Sequence, residues 1–397
     1  MNWDYKVLDE LGTVSRGRSR HRPRNDKSLF GGKYPFVQTA DVKAANLYLT
    51  DYTETYNEKG LEQSKLWKAG TLCITIAANI ADTAILGIDA CFPDSVMGFI
   101  PFDGVSNVKF IKYAFDLLQR DFKQISQGTA QDNLSWQKLE TIKFPAPDIE
   151  VQNKIVQILG SYDDLIENYR KQINLLEEAA QRLYKEWFVD LRFPGYEDCK
   201  IVDGVPEGWK QDTLGSHINL LSGYAFKSKD FIIEGKYKIV TIKNVKDGQF
   251  DSENVSRISE IPAKMPAHCR LSDGDILLSL TGNVGRVCMV NGVNYLLNQR
   301  VAKLESDSTA YTYCLFRSKD MFIAMNNLAN GAAQQNLSPV RTEKLKVLFP
   351  NTALIRKFDN VVQPIIEKIL IANKAIYELS QARDRLLPRL MSGEIEV

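Results

Sequence analysis

Histidine is scarce in this chain, with three in 397 residues. Histidine this scarce gives no expectation of a Ser/His or Cys/His machine repeated along the chain. The six cysteines, at 73, 91, 199, 269, 288 and 314, form no CxxC pair. Clustered zinc ligands are missing, and the bland reading of the cysteines is buried free thiols in a reducing compartment. Net charge is only +1, so no global basic field exists and any binding of nucleic acid must rest on local patches. No apolar run is long enough to cross a membrane. The most apolar stretch, 72–92, is interrupted by Asn79, Asp82 and Asp89. The opening "MNWDYKVLDE" has no apolar centre of the kind a signal peptide carries, and a cytoplasmic protein is expected. No GxxxxGK[ST] phosphate loop, GxGxxG cofactor loop or GxSxG elbow occurs. A single Glu-x-Lys, "EGK" at 234–236, has no suitable strand before it and no second copy.

What is present is a repetition. "GTAQDNLS" (128–135) returns as "GAAQQNLS" (331–338), 203 positions later. At the same offset "YPFVQTADVK" (34–43) faces "YKIVTIKNVK" (237–246), and Ile173, Leu176, Ala179, Arg182 and Leu183 match Ile376, Leu379, Ala382, Arg385 and Leu386. With a slip of one residue, "KAGTLCITIAANIA" (68–81) matches "SDGDILLSLTGNVG" (272–285) in pattern. The period is far longer than that of a solenoid, so each copy is a whole domain with an appendage.

Short β-rich runs broken by Gly, Pro and Asn, with one helix in each copy (107–125 and 309–328), predict an α+β domain at 1–148 and again within 191–350. Each is followed by a helical region, 149–190 and 351–397. The first helix is expected to begin after Pro147 and to break at Gly160–Ser161. Ile166, Ile173, Leu176 and Leu183 then lie on a heptad seam, and Ile365, Ile369, Ile376, Leu379 and Leu386 lie on its copy, interrupted by Arg383 and Pro388. The economical expectation is that the two seams pack on each other. The alternative is that each helix covers its own domain.

A chain duplicated without a catalytic motif in either half points to binding. "SRGRSRHRPRNDK" supplies Arg16, Arg18, Arg20, Arg22 and Arg24, opposed in the sequence only by Asp26. It reads as a phosphate-binding loop without fixed strand or helix support. Lys33 and Thr39, around "YPFVQTADVK", are further candidates, as are Lys227 beside Tyr224 and Phe226, Lys243 and Asn244 in "TIKNVK", and Asn283 and Arg286 in "TGNVGR", whose counterpart includes Asn79. In the repeated phrase Gln131, Asn133, Gln334, Gln335 and Asn336 carry amides that could pair with adenine in a major groove. For Asn133 and Asn336 the helix N-cap is the favoured reading, ahead of base pairing.

With two diverged globular copies, each ending in "NLSxxxL…P" and leading into helices such as "KQINLLEEAAQRLYKEWFVDLR", and with "GAAQQNLS" and "SGYAFKS" in the second copy, the chain resembles the specificity subunit of a Type I restriction–modification enzyme along its whole length. The resemblance implies two target-recognition domains, each reading half of a bipartite site in double-stranded DNA. It implies two helices packed as an antiparallel, pseudo-two-fold coiled-coil spacer that docks two methyltransferase subunits. It implies no cofactor on this chain: S-adenosylmethionine belongs to the methyltransferase subunits, and ATP and Mg belong to the restriction subunits. A coiled-coil scaffold whose duplicated domains bind proteins is the other reading open at this point.

Overall fold

The computed structural model describes residues 3–76, 81–125, 136–253, 255–329 and 335–397. It divides into two compact units. Unit 1 holds Met1–Ile166 with Glu378–Val397, and unit 2 holds Glu167–Tyr377.

The two units repeat one topology. In unit 1 the first sheet runs in the order Gly12–Arg16, Val96–Pro101, Leu72–Thr75, Thr83–Leu86, Tyr48–Leu49. In unit 2 the order is Asn219–Ser222, Val301–Glu305, Ile276–Ser279, Val287–Met289. Each unit has a second sheet with the same plan: Glu54–Tyr56, Phe30–Phe36, Ala90–Cys91, Leu66–Trp67 in one, and Ser256–Ile258, Tyr237–Val240, Tyr295–Leu297, Arg270–Leu271 in the other. The central pair of each second sheet is parallel.

Burial explains why the central strands are apolar throughout rather than alternating. Leu72 and Ile74 join a core of helices, while Cys73 between them faces Trp67, Phe92 and Val96 on the opposite side. Ile276 and Leu278 likewise face helices, and Leu277 faces Cys288, Leu297 and Val301. A strand covered on both faces leaves no polar side. Five of the cysteines are buried free thiols and Cys199 is half-buried; burial pushes the Cys91 thiol up to about 11.

The helix in unit 1 is continuous over Val108–Ile125. Its expected counterpart at 309–328 is two helices, Thr309–Arg317 and Lys319–Ala329. Ser318 is extended, with φ −66° and ψ 148°, and its hydroxyl accepts from the Met321 amide at 3.3 Å. A local Ser cap thus competes with helix continuation.

The first long helix spans Ile149–Tyr184 and the second Thr352–Met391. The expected break at Gly160 does not occur. Glycine in a helix costs about 1 kcal/mol, but Ile155 and Leu159 beside it are buried in the unit 1 core. Pro388 likewise sits inside the second helix, with Leu387, Leu390 and Met391 around it in the same core. The two helices run antiparallel. In unit 1 Lys154 meets Val397 and Asp163 meets Arg383. In unit 2 Leu176 lines one groove with Ala372, and Trp187 packs on Phe358 with ring centroids 5.6 Å apart.

The seam residues do both things that the sequence left open. Ile173, Leu176, Leu183 and Ile365 pack around a unit 2 core that holds Ile366 and Ile369, and that core also contains strand residues. Leu386 packs on the unit 1 core. Ile166 is buried, and Ile376 and Leu379 are half-buried.

Each unit draws one carboxylate of the first long helix inward, Asp163 buried and Glu177 half-buried. In unit 1 Asp163 accepts from Tyr113 Oη and from Arg383 Nη1, both at 2.5 Å. In unit 2 Glu177 accepts from Tyr313 Oη at 2.6 Å and from Arg317 Nη1. Burial holds the Glu177 carboxyl above the usual carboxylate range, against the pull of Arg317. Arg383, an interruption of the apolar seam when read in sequence, is therefore the partner of Asp163. Its repeat counterpart is Ala180, and that of Asp163 is Ile366; both are fully buried in the unit 2 core.

Asp163→Ala is expected to cost about 3 kcal/mol or more, because Arg383 would lose its buried partner. The pair Asp163→Ile with Arg383→Ala, which copies unit 2, should regain most of that loss. Urea titrations of the three variants check this; a double variant no more stable than the single one would contradict it.

Candidate nucleic-acid interface

In unit 2 backbone hydrogen bonds gather four loops at one end of the first sheet. The chain leaving Ser222 turns beneath Asn298, where Gly223 N–H donates to Val301 O at 3.1 Å and Tyr224 N–H to Leu297 O at 2.9 Å. A Cβ on Gly223 would lie 2.3 Å from Asn298 O, so only glycine fits there. The loop after Ser279 is tied to the next by Leu280 N–H donating to Arg300 O at 3.0 Å, and to the repeated phrase by Leu337 N–H donating to Leu280 O at 2.7 Å. Thr281 bridges to Asn336. Gly282 has φ +72°, and Ile242 Cδ1 lies 3.1 Å from where its Cβ would be.

This end brings together Lys243, Asn283, Arg286, Gln335 and Asn336, and Lys227 follows three residues after Tyr224. Lys227, Lys243, Asn283, Gln335 and Asn336 are exposed and Arg286 is half-buried. It also holds Gln299 and Arg300, both exposed, which the sequence reading missed. Their signal was a polar Asn-Gln-Arg immediately after the apolar "YLL". Asn244 does not belong to the interface. Its amide is buried, accepts from Thr241 N–H at 2.9 Å and Thr241 Oγ1 at 3.0 Å, and donates to the carbonyls of Asp251 and Glu253. A buried amide satisfied on all sides holds a loop and reads no base. Asn336 is not a helix cap either: Ser338 caps the helix Pro339–Glu343, its side chain accepting from Arg341 N–H.

Unit 1 builds the same end with different charges. Gly17 N–H donates to Val96 O at 2.8 Å and Arg18 N–H to Phe92 O at 3.0 Å, as Gly223 and Tyr224 do in unit 2. Ile76 N–H donates to Ser95 O at 3.1 Å, as Leu280 does to Arg300, and Thr75 N–H to Asp82 O at 3.0 Å, as Ser279 does to Arg286. Asp94 and Asp82 thus stand where unit 2 has Gln299 and Arg286. Asn79, Gln131, Asn133 and Gln334 lie outside the described residues.

The arginine loop occupies the place of "SGYAFKSKD" and is held firmly, contrary to the expectation of an unsupported loop. Gln63 Oε1 accepts from the amides of Arg20 and His21 at 2.7 and 3.1 Å, and Ser64 Oγ donates to Arg18 O at 2.8 Å. His21 pairs with Asp26 at 2.8 Å, and hydrogen bonds from Ser28 hold the Asp26 carboxyl at about 2. Asp26 is therefore not the carboxylate that opposes the arginines. Asp94 is: it accepts from Arg24 Nη2 with both oxygens at 2.8 Å and lies 3.9 Å from Arg22 Nη2. Arg16 and Arg20 are exposed and carry no ion pair among the described residues, whereas Arg18 is half-buried with its Nε enclosed. Lys33 is exposed and paired with Glu58 at 3.5 Å, and Thr39 begins the short helix Thr39–Ala44.

Among the described residues no group of three or more His, Cys, Asp or Glu could hold a metal, and no helix is long and apolar enough to cross a membrane. The family model for the Type I restriction modification DNA specificity domain matches residues 1–178 and again 206–379. The chain belongs to that family. It is 27% identical to the Type I restriction enzyme MjaIX specificity subunit of Methanocaldococcus jannaschii, over all of this chain and 94% of the relative. It is 24% identical to the HindI specificity subunit of Haemophilus influenzae, over 97% of this chain and 98% of the relative. The crystal structure of a Type-I restriction-modification system S subunit from M. genitalium superposes with a TM-score of 0.54 at 18% identity, covering 98% of this chain and 96% of that one, and so shares the fold.

In this specificity-family chain the loops differ between copies while the bonds that gather them are retained. Asn244→Ala is expected to cost about 1–3 kcal/mol without changing what the unit 2 end binds. Thermal denaturation measures the first part, and a changed binding preference in the folded variant would return Asn244 to the interface.

Proposed function

We propose that this chain is the DNA-reading subunit of a Type I restriction–modification complex and catalyses nothing itself. Each globular domain reads one half of a bipartite site through its loop-bearing end. The two long helices set the separation of the half-sites and dock two methyltransferase subunits, which hold S-adenosylmethionine; restriction subunits supply the ATP- and Mg-dependent cleavage, in the cytoplasm. The observation that carries this reading is the pair of homologous ends, built on one hydrogen-bonding plan but presenting different polar side chains. That is what two readers of two different half-sites require. Family membership supports it, as does the groove on the helices, where Leu175 and Ile371 are each 67% exposed and suit a protein partner.

Arg16 and Arg20, exposed and without an ion pair among the described residues, suit phosphate, which positions a protein without carrying sequence. Replacing both by Ala should weaken binding to all sequences alike and lower the salt slope by about two. A changed recognition sequence would show that one of them reads a base.

The spacer role is tested by length. Glu177 is tied to Tyr313 and Arg317, so an insertion belongs nearer Arg170. Four added residues lengthen the helix by about 6 Å, which is about one or two base pairs. Mapping methylated adenines in cells carrying the variant and its methyltransferase partner should show a longer unread gap between unchanged half-sites. An unchanged gap with full activity would remove the helices as the ruler.

A further inference from the structure

The charge difference between the two reading ends carries a consequence for how one arginine works. Arg24 is bound through a single nitrogen, Nη2, to both oxygens of Asp94 at 2.8 Å. Among the described residues its Nε and Nη1 have no acceptor. The Arg24 side chain is 52% exposed and that of Asp94 37% exposed, so the pair stands at the surface with the Nε and Nη1 N–H groups open to a ligand. Arg22 beside it is anchored differently, Nη1 donating to the carbonyls of Ser19 at 2.7 Å and His21 at 2.8 Å. The loop below is fixed by Gln63 and Ser64. The ion pair with Asp94 directs a long side chain that otherwise samples many rotamers, over a loop fixed by hydrogen bonds.

We propose that Asp94 is a positioning residue that aims Arg24 at a guanine in the half-site read by unit 1. Electrostatics separates this from a phosphate contact. A phosphate drawn to Arg24 would come within a few ångströms of the Asp94 carboxylate, and the repulsion would offset much of the attraction. Guanine presents two neutral acceptors, O6 and N7, in the major groove. They can accept from the guanidinium N–H groups that Asp94 leaves open, and being neutral they repel a neighbouring carboxylate far less than a phosphate does. A carboxylate at that place can also accept from the amino group of a cytosine. Holding a reading side chain by an outer hydrogen bond is how binding sites gain precision. Unit 2 has Gln299 in the place of Asp94, and Lys227 and Lys229 there have no carboxylate partner among the described residues, so the device belongs to one half-site only.

The inference rests on the DNA-reading role proposed above. The test uses the complex of this chain with its methyltransferase partner and compares wild type, Asp94→Asn and Arg24→Lys. Asp94→Asn keeps shape and removes charge; Arg24→Lys keeps charge and removes the fork. Methylated adenines are mapped genome-wide, and binding to matched duplexes is followed against salt. In both variants one G·C pair of the unit 1 half-site should lose about tenfold or more in discrimination, while the other half-site stays as in wild type. Two outcomes overturn the inference. The first is an unchanged recognition sequence in Asp94→Asn with uniformly tighter binding and a steeper salt slope, which would make Asp94 a charge offset only. The second is an Arg24→Lys variant that reads the same sequence as wild type, which would make Arg24 a phosphate contact. Melting temperatures confirm that each variant is folded. A wild-type complex that methylates no bipartite sequence would sink the functional reading itself, and is told apart from both.

Discussion

Neither globular domain closes its core without both long helices. The unit 1 core takes Ile155 and Leu159 from the first helix and Leu387, Leu390 and Met391 from the second. The unit 2 core takes Ala180 and Tyr184 from the first, Trp187 from the π-helical turn Lys185–Val189 that continues it, and Leu354 through Ile369 from the second. Packing of this density tolerates no slip, because a shift of either helix would move side chains out of both its partner's seam and the domain it covers. The buried Asp163 carboxylate makes the pairing selective as well as tight. It is matched by Arg383 in unit 1, whereas the equivalent places in unit 2 hold Ile366 and Ala180. Exchanging the pairing of the two copies would set an ion against an apolar residue, and an unpaired buried charge costs several kcal/mol. The duplication is therefore kept from interchanging its halves.

On that scaffold the reading ends vary at low cost. Their loops are gathered by main-chain bonds, which do not depend on side-chain identity, and by glycine at Gly17 and Gly223, where the backbone approaches its neighbour too closely for a Cβ. Side chains on those loops can then change charge: Arg286 is answered by Asp82 and neutral Gln299 by Asp94. One domain presents exposed cations and amides. The other presents arginines, two of which share a carboxylate. The chain as a whole remains near neutrality, so discrimination resides in local arrangement and not in a basic field.

The duplication, the α+β domains and the two helices were legible in the sequence because they depend on periodicity and on local composition. The 203-residue offset needs only matching letters, and strands covered on both faces announce themselves as unbroken apolar runs such as "GDILLSL". Gly160 and Ser318 were misread for the same reason in opposite directions. A glycine signals a break that buried neighbours override, and a serine inside an apolar helix gives little sign that it will cap a new one. Asn244 and Gln299 show the limit for the interface. Both are amides in polar loops, yet one is consumed by Thr241, Asp251 and Glu253 and the other faces solvent.

The sequence by itself determined the class of the molecule: a duplicated chain of two α+β copies, each followed by a patterned helix. Only the tertiary structure decided which residues share a surface and which carboxylate meets which arginine. Asp26 lies two residues from Arg24, but it turns to His21, and Asp94, seventy positions away, takes the guanidinium. Ion pairing follows distance in space, and chain neighbours diverge as soon as a turn sends their side chains to different sides of a loop.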